Sequence, residues 1–274
     1  MSLKAILLFA GAALGHTIHS RDTVRGCGAP EPSEELLQVS RQFAKQEAES
    51  VNGFSAQAAI SVPVYLHSVA ASQSTVLSDA TLQSQFNVLR DDYAPYGINL
   101  RLAGTTKTVN PTWSRDQGEM EMKRALRKGD YGTLNIYLQD DLGSNLGYCY
   151  FPTNAPSGST AFIRDGCSVL AASVPGGSAT GFNLGKTATH EAGHWFGLYH
   201  TFQGGCTSTN DGVADTPAQS SPSSGCPTGR DSCPNLPGLD PIHNYMDYSQ
   251  DSCYEEFTAG QAARISSFWS AYRA

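Results

Sequence analysis

The segment His190-Glu191-Ala192-Gly193-His194-Trp195-Phe196-Gly197-Leu198-Tyr199-His200 gathers side chains that can hold a metal ion and use it. His190 and His194 stand four apart, so on a helix they share one face and can grip a single ion. Zinc suits them, because neutral imidazole nitrogens at ~2.0–2.1 Å are among its preferred ligands. Glu191 would sit beside such an ion rather than on it. There it could take a proton from a water whose pKa zinc lowers to about 7. His200 needs a break in the helix: at ~1.5 Å and roughly 100° per residue, a continued helix would carry it away from His194. Gly197 stands where that turn is required, and glycine adopts the left-handed conformation at little cost. Three histidines leave a fourth position open for water or substrate, which is the pattern of a catalytic zinc. Five specified residues within eleven would arise by chance in a chain this long on the order of once in 10⁵.

Such a site needs a framework. Ile60, Val62, Val64 and Leu66 alternate with polar partners, as a half-buried strand requires. Leu82, Phe86, Leu89 and Tyr93 recur at helical spacing and predict an amphipathic helix. Ile98-Leu100-Leu102 and Leu134-Ile136-Leu138 predict two more strands, with a short helix over Asp116 to Lys128 between them. Gly147 to Phe151 and Cys167 to Ala172 predict a further pair. Strand and helix in alternation imply a mostly parallel sheet with helices packed on it. Residues 201–255 are rich in Gly, Pro, Ser and Cys, so disulfides must hold this part. Thr258 with Gln261 forms a capping box that opens a last helix presenting Ile265, Phe268 and Trp269.

Ahead of this framework lie two segments of another character. Lys4 precedes an apolar run from Ala5 to Leu14, with Ala13 and Gly15 at the positions a signal peptidase reads, so residues 1–15 are expected to be a secretory signal peptide. Residues 16–55 are polar, with Pro30, Pro32 and a helix expected over Ser33 to Ser50, and are read as a pro-segment. The domain proper then covers 56–274, as an upper part over 56–200 and a lower part over 201–274.

The chain has 274 residues, enough to bury one large core. Its 18 Lys+Arg against 25 Asp+Glu give a net charge of −7, with no basic cluster to follow a nucleic-acid backbone. No apolar run approaches the ~20 residues that span a bilayer. Seven cysteines suit an oxidising, extracellular compartment. Seven is odd, so at least one thiol is free, metal-bound or paired with another chain. Cys149 and Cys167 fall on two strands expected to be neighbours and are expected to pair.

The motif from His190 to His200, with the later Asn244-Tyr245-Met246-Asp247-Tyr248, resembles the metzincin metallopeptidases and, within them, the pappalysins. The resemblance runs from about Ile60 to residue 274 and is densest from Thr189 to Phe257. It implies an α+β metzincin fold: a twisted five-stranded, mostly parallel sheet with backing and active-site helices, above a disulfide-tied C-terminal subdomain. It implies hydrolysis of peptide bonds in protein or peptide substrates by one Zn²⁺ held by His190, His194 and His200, with Glu191 as general base. Met246 would form an apolar floor under the histidines, and Tyr248 would donate to the oxyanion. His243 reads as a loop histidine. Arg25-Gly26-Cys27-Gly28 resembles a cysteine switch, in which the Cys27 thiolate takes the open zinc position and keeps the precursor latent. Cys206–Cys233 and Cys226–Cys253 follow the pappalysin disulfide pattern. Asp251 resembles the floor of the pocket for the side chain after the cut bond, and would favour Arg or Lys. Asp211, Asp215 and Thr216 resemble a calcium-binding stretch, although Asn210 is not a carboxylate.

Overall fold

The computed structural model describes residues 26–49 and 59–274. The expected signal peptide and the boundary near residue 55 lie outside these residues.

Strand β2 (Ile60–Ala70) begins with the expected alternation: Ile60, Val62, Val64 and Leu66 are buried and Ser61 is exposed. From Leu66 onward every residue is buried, because β2 runs inside the sheet between β3 (Ile98–Val109) and β4 (Leu134–Gln139). Two strands follow, β5 (Asn145–Cys149) and β6 (Cys167–Leu170). β2, β3, β4 and β6 are parallel, while β5 runs antiparallel to β6.

The expected count of five strands needs correction. A sixth, β1 (Gly26–Cys27), pairs parallel with β5, giving the order β1-β5-β6-β4-β2-β3. Two residues of glycine and cysteine carry no strand pattern. β1 exists because the outer edge of β5 offers unpaired backbone groups, and Gly28 N donates to Gly147 O at 2.8 Å. β3 also runs on past Leu102 to Val109. Its outer half (Gly104-Thr105-Thr106-Lys107-Thr108) pairs with β2 along one edge only and needs no apolar stripe.

Helix α1 (Glu34–Glu49) starts where Ser33 Oγ accepts from Leu36 N at 3.2 Å. Helix α2 (Asp79–Tyr93) is capped by Ser78 and buries Leu82, Phe86, Leu89 and Tyr93. Helix α3 is shorter than expected, Glu119–Leu126, because Asp116 (φ 59°) and Gly118 (φ 74°) take left-handed conformations that no helix can absorb. A short α4 (Thr160–Arg164) follows, then α5 (Lys186–Trp195), which carries the histidine motif.

Helices α2 and α5 pack on one face of the sheet. Leu82, Phe86, Leu89 and Tyr93 meet Ala188, Ala192, Trp195 and Phe196 over Val62, Val64, Leu66 and Ile136. Burying each large aliphatic or aromatic side chain contributes about 1.5–3 kcal/mol, so this layer anchors α5.

Beyond His200 the chain is turns and loops, tied by Cys206–Cys233 and Cys226–Cys253. Helix α6 (Ala259–Phe268) opens with the Thr258–Gln261 capping box and buries Ile265 and Phe268. Helix α1 lies against it: Leu36 and Phe43 pack on Phe268, Tyr199 and Tyr272, and the Glu47 carboxylate accepts from the buried Arg264 guanidinium at 2.9–3.2 Å. No helix among the described residues is long and apolar enough to cross a membrane.

Candidate metal centre

Helix α5 is fixed at both ends by residues distant in sequence. Its N-cap, Gly185, has no side chain to satisfy the first amides, and Asp251 does this instead. Asp251 Oδ2 accepts from Leu184 N at 2.8 Å and Lys186 N at 3.3 Å. One turn on, the buried Asp92 of α2 accepts from Thr189 Oγ1 at 2.6 Å, Lys186 Nζ at 2.5 Å and Tyr245 OH at 3.1 Å. At the other end, Arg273 Nε donates to Trp195 O at 3.0 Å, with its guanidinium 3.6 Å from the centre of the indole. Buried Asp165 accepts from Arg273 Nη2 at 2.9 Å and from Trp195 Nε1 at 3.1 Å.

The helix stops after Trp195 and Gly197 turns left-handed at φ 99°, which brings His200 back beside His194. The three Nε2 atoms converge: His194 lies 3.2 Å from His190 and 3.1 Å from His200. His190 Nδ1 meets Tyr245 O at 2.7 Å and His194 Nδ1 meets Leu198 O at 2.8 Å. A carbonyl only accepts, so both protons sit on Nδ1 and two Nε2 lone pairs face each other. Burial lowers all three pKa values, that of His190 to about 4, and the neighbouring imidazoles lower His194 and His200 further. The rings are neutral at pH 7, so no shared proton joins them. Converging lone pairs at this separation fit one cation: tetrahedral bonds of ~2.0–2.1 Å hold nitrogens roughly 3.3–3.4 Å apart. The carbonyl acceptors behind the rings orient them, as such partners do in metal sites.

Cys27 Sγ joins this group, its sulfur and the three histidine ligand atoms lying within 4.8 Å of one another. It also donates to Glu191 Oε2 at 3.4 Å. Burial raises the thiol pKa, and the nearby Glu191 carboxylate adds to this. Burial pushes Glu191 up to about 8, and a divalent ion beside it would act in the opposite direction. Tyr248 OH lies 3.2 Å from Cys27 N and 3.4 Å from Cys27 O, with its ring edge-on to His200. Met246 is fully buried under α5, at the spot where a side chain on Gly193 would stand.

Asp251 lines the same pocket as Cys27, Thr187, His190, Glu191 and Tyr248. Its Oδ2 is spent on the helix cap, while its Oδ1 is buried without a partner. Burial raises its pKa to about 6. The bonds Cys149–Cys167, Cys206–Cys233 and Cys226–Cys253 leave Cys27 as the free cysteine. His243 Nδ1 contacts Cys253 O at 2.7 Å, away from the three histidines. Asp211 and Asp215 do different work. Asp215 caps α6, accepting from Thr258 Oγ1 at 2.7 Å and Gly260 N at 2.8 Å. Asp211 is buried, accepts from Val213 N at 3.0 Å and is pushed up to about 8 by burial.

Sequence reasoning missed Asp92, Asp165 and Arg273. Asp92 had a signal: with Gln85 it puts a polar group on the buried face of α2, at core spacing from Leu82 and Leu89. Asp165 and Arg273 had none, since only the folded chain brings them together.

A sheet of this topology over a helix with three converging histidines is a metzincin-type metallopeptidase framework. Residues 125–270 match the family described as Peptidase_M43, pregnancy-associated plasma protein-A. An extracellular metalloprotease of Podospora anserina is 62% identical over 264 residues, covering 90% of each chain. One of Verticillium alfalfae is 59% identical over the full length of both. Among solved structures, Tannerella forsythia mature mirolysin in complex with a cleaved peptide superposes with a TM-score of 0.63 at 30% identity, over 75% of this chain and 90% of that one. The chain belongs to the Peptidase_M43 (pappalysin) family of metalloproteases.

Proposed function

We propose that this chain is a secreted zinc endopeptidase, made latent by its own N-terminal segment and selective for a basic side chain after the cut bond. The observation that carries the reading is the meeting of three neutral histidine Nε2 atoms at one point, with Cys27 Sγ as the fourth group there.

His190, His194 and His200 would hold the ion. Zinc bound there supplies a Lewis acid for the scissile carbonyl and lowers the pKa of water. Glu191 takes the proton of the attacking water and returns it to the leaving amine. Tyr248 OH donates to the oxygen that gains charge. While Cys27 is in place that hydroxyl is turned to the Cys27 backbone, and β1 covers the edge of β5. Trimmed of residues up to about 55, the protein should digest an unfolded protein substrate. Chelation should abolish the digestion and added zinc restore it. Cleavage that persists after the metal has been shown to be gone would sink the reading.

Latency has its own test. The parent precursor should be inactive, with a Cys27 thiol that stays unreactive until a chelator is added. A Cys27→Ser precursor should be active without trimming. If it stays as latent as the parent, the segment blocks the cleft by bulk alone, through β1.

Selectivity rests on the unpartnered Oδ1 of Asp251. An Arg or Lys side chain that reached it would give that oxygen a charged donor. Asp251→Asn keeps an oxygen for Leu184 N and Lys186 N but removes the charge, whereas Asp251→Ala removes both. Both variants should lose the preference for Arg and Lys in a peptide library, and only the Ala variant should also lower Tm. With its pKa near 6, Asp251 is ionised above that pH and protonated below it. The ratio of basic to neutral cuts in the parent should therefore fall as pH drops from 7.5 to 5. An unchanged ratio across both pH values and both variants places the selector elsewhere.

A further inference from the structure

Gly147 lies on β5, and its φ is outside the left-handed region, so its backbone alone does not call for glycine. Space does. A Cβ built on Gly147 would stand 2.7 Å from Glu191 Cγ, 2.8 Å from Oε1 and 3.0 Å from Cδ. Carbon atoms in ordinary contact keep about 3.5–4.0 Å. The carboxylate therefore rests directly against the main chain of the edge strand, in the space a side chain would fill.

Neither wall of this contact can retreat easily. On the strand side, Tyr148 OH donates to Asp116 Oδ1 at 2.6 Å, Cys149 is bonded to Cys167, and Gly147 pairs with Val169 of β6. On the helix side, α5 is held by Asp92, Asp251 and Arg273. The side chain of Glu191 is the member that can move.

From this geometry we infer that Gly147 is a positioning residue for catalysis: as a bare stretch of strand it sets where the Glu191 carboxylate stands. The inference rests on Glu191 acting as the general base. One added methyl would push that carboxylate back by roughly 0.7 Å to reach ordinary contact, and misplacements of about 1 Å can cost on the order of 10²-fold in rate. The methyl points at Glu191, perpendicular to the strand's hydrogen-bonding edge, so the backbone groups on that edge are left alone.

The test is Gly147→Ala in the full chain, trimmed to its active form and assayed beside Glu191→Gln. Expected are a kcat about 10–100-fold below the parent, a KM within about twofold, and one zinc per chain. A kcat within twofold of the parent overturns the inference. So does a loss carried by KM, which would assign the glycine to substrate binding. Should Gly147→Ala lower Tm or fail to fold, the defect should vanish in the Glu191→Ala background, where the clash is gone. A defect that persists there shows that the strand itself needs glycine, and overturns the inference. If Glu191→Gln cuts at the parent's rate, it is the general-base reading that fails; if Glu191→Gln is inactive and Gly147→Ala is not, only the role of Gly147 fails.

Discussion

A trimmed Glu191→Gln protein is expected to keep one zinc per chain and to lose at least 10²–10⁴ in its rate of peptide cleavage. The metal should stay because its three histidine ligands are untouched, and because Tyr245 O and Leu198 O still orient two of them. The rate should fall because glutamine matches glutamate in shape yet cannot accept a proton. Fit within the site is not at issue, since Gly147 leaves the same space for either side chain. Metal analysis and steady-state kinetics on one preparation decide the matter. Near-normal cleavage by a fully metal-loaded Glu191→Gln protein would end the mechanism proposed here.

Arg273→Ala should produce the largest loss of stability. The Arg273 side chain is fully buried, and it donates to Asp165 through Nη2, to Trp195 O through Nε and to Tyr131 O through Nη1. Removing one member of a buried ion pair typically costs about 3–5 kcal/mol, because the other charge stays in the interior. Asp165 would keep the Trp195 indole at 3.1 Å and a longer contact with Arg127 at 3.4 Å. For a domain of this size the expected drop in Tm is about 6–20 °C. Arg273→Lys keeps the charge but not the fork or the stacking on Trp195, and should fall between. Denaturant unfolding of the three proteins settles it, and a loss under about 1 kcal/mol in the Ala variant would mean that Asp165 finds another partner.

Much of the chemistry could be read in the sequence because it is local. The meeting of His190 and His194 on one helix face follows from helical spacing, and the return of His200 follows from Gly197. Strands β2 and β4 and helix α2 were legible because each carries apolar residues in the period of its own geometry. The limits were equally physical. The outer half of β3 has no buried face, so its threonines read as loop. β1 is a strand only through what β5 offers it, and α3 starts late because two residues before it turn left-handed. Asp251 could be read as a pocket carboxylate, but its second task, capping α5 in place of a side chain on Gly185, depends on a contact with Lys186 N across 65 residues. The clamp of Asp165 on Trp195 and Arg273 has no local trace at all.

That clamp has a consequence for the order in which the molecule is made. Helix α5 leaves the ribosome well before three of the groups that fasten it: Tyr245 O, which orients His190, then Asp251, then Arg273 at a separation of 78 from Trp195. An isolated helix of ten residues is marginal in water. Until those groups follow, Asp92 and the sheet hold α5, and His190 lacks the acceptor that orients its ring. The cover is completed no earlier: α1 docks on α6 and Cys27 N on Tyr248, so the N-terminal segment and the site beneath it come together at the same stage.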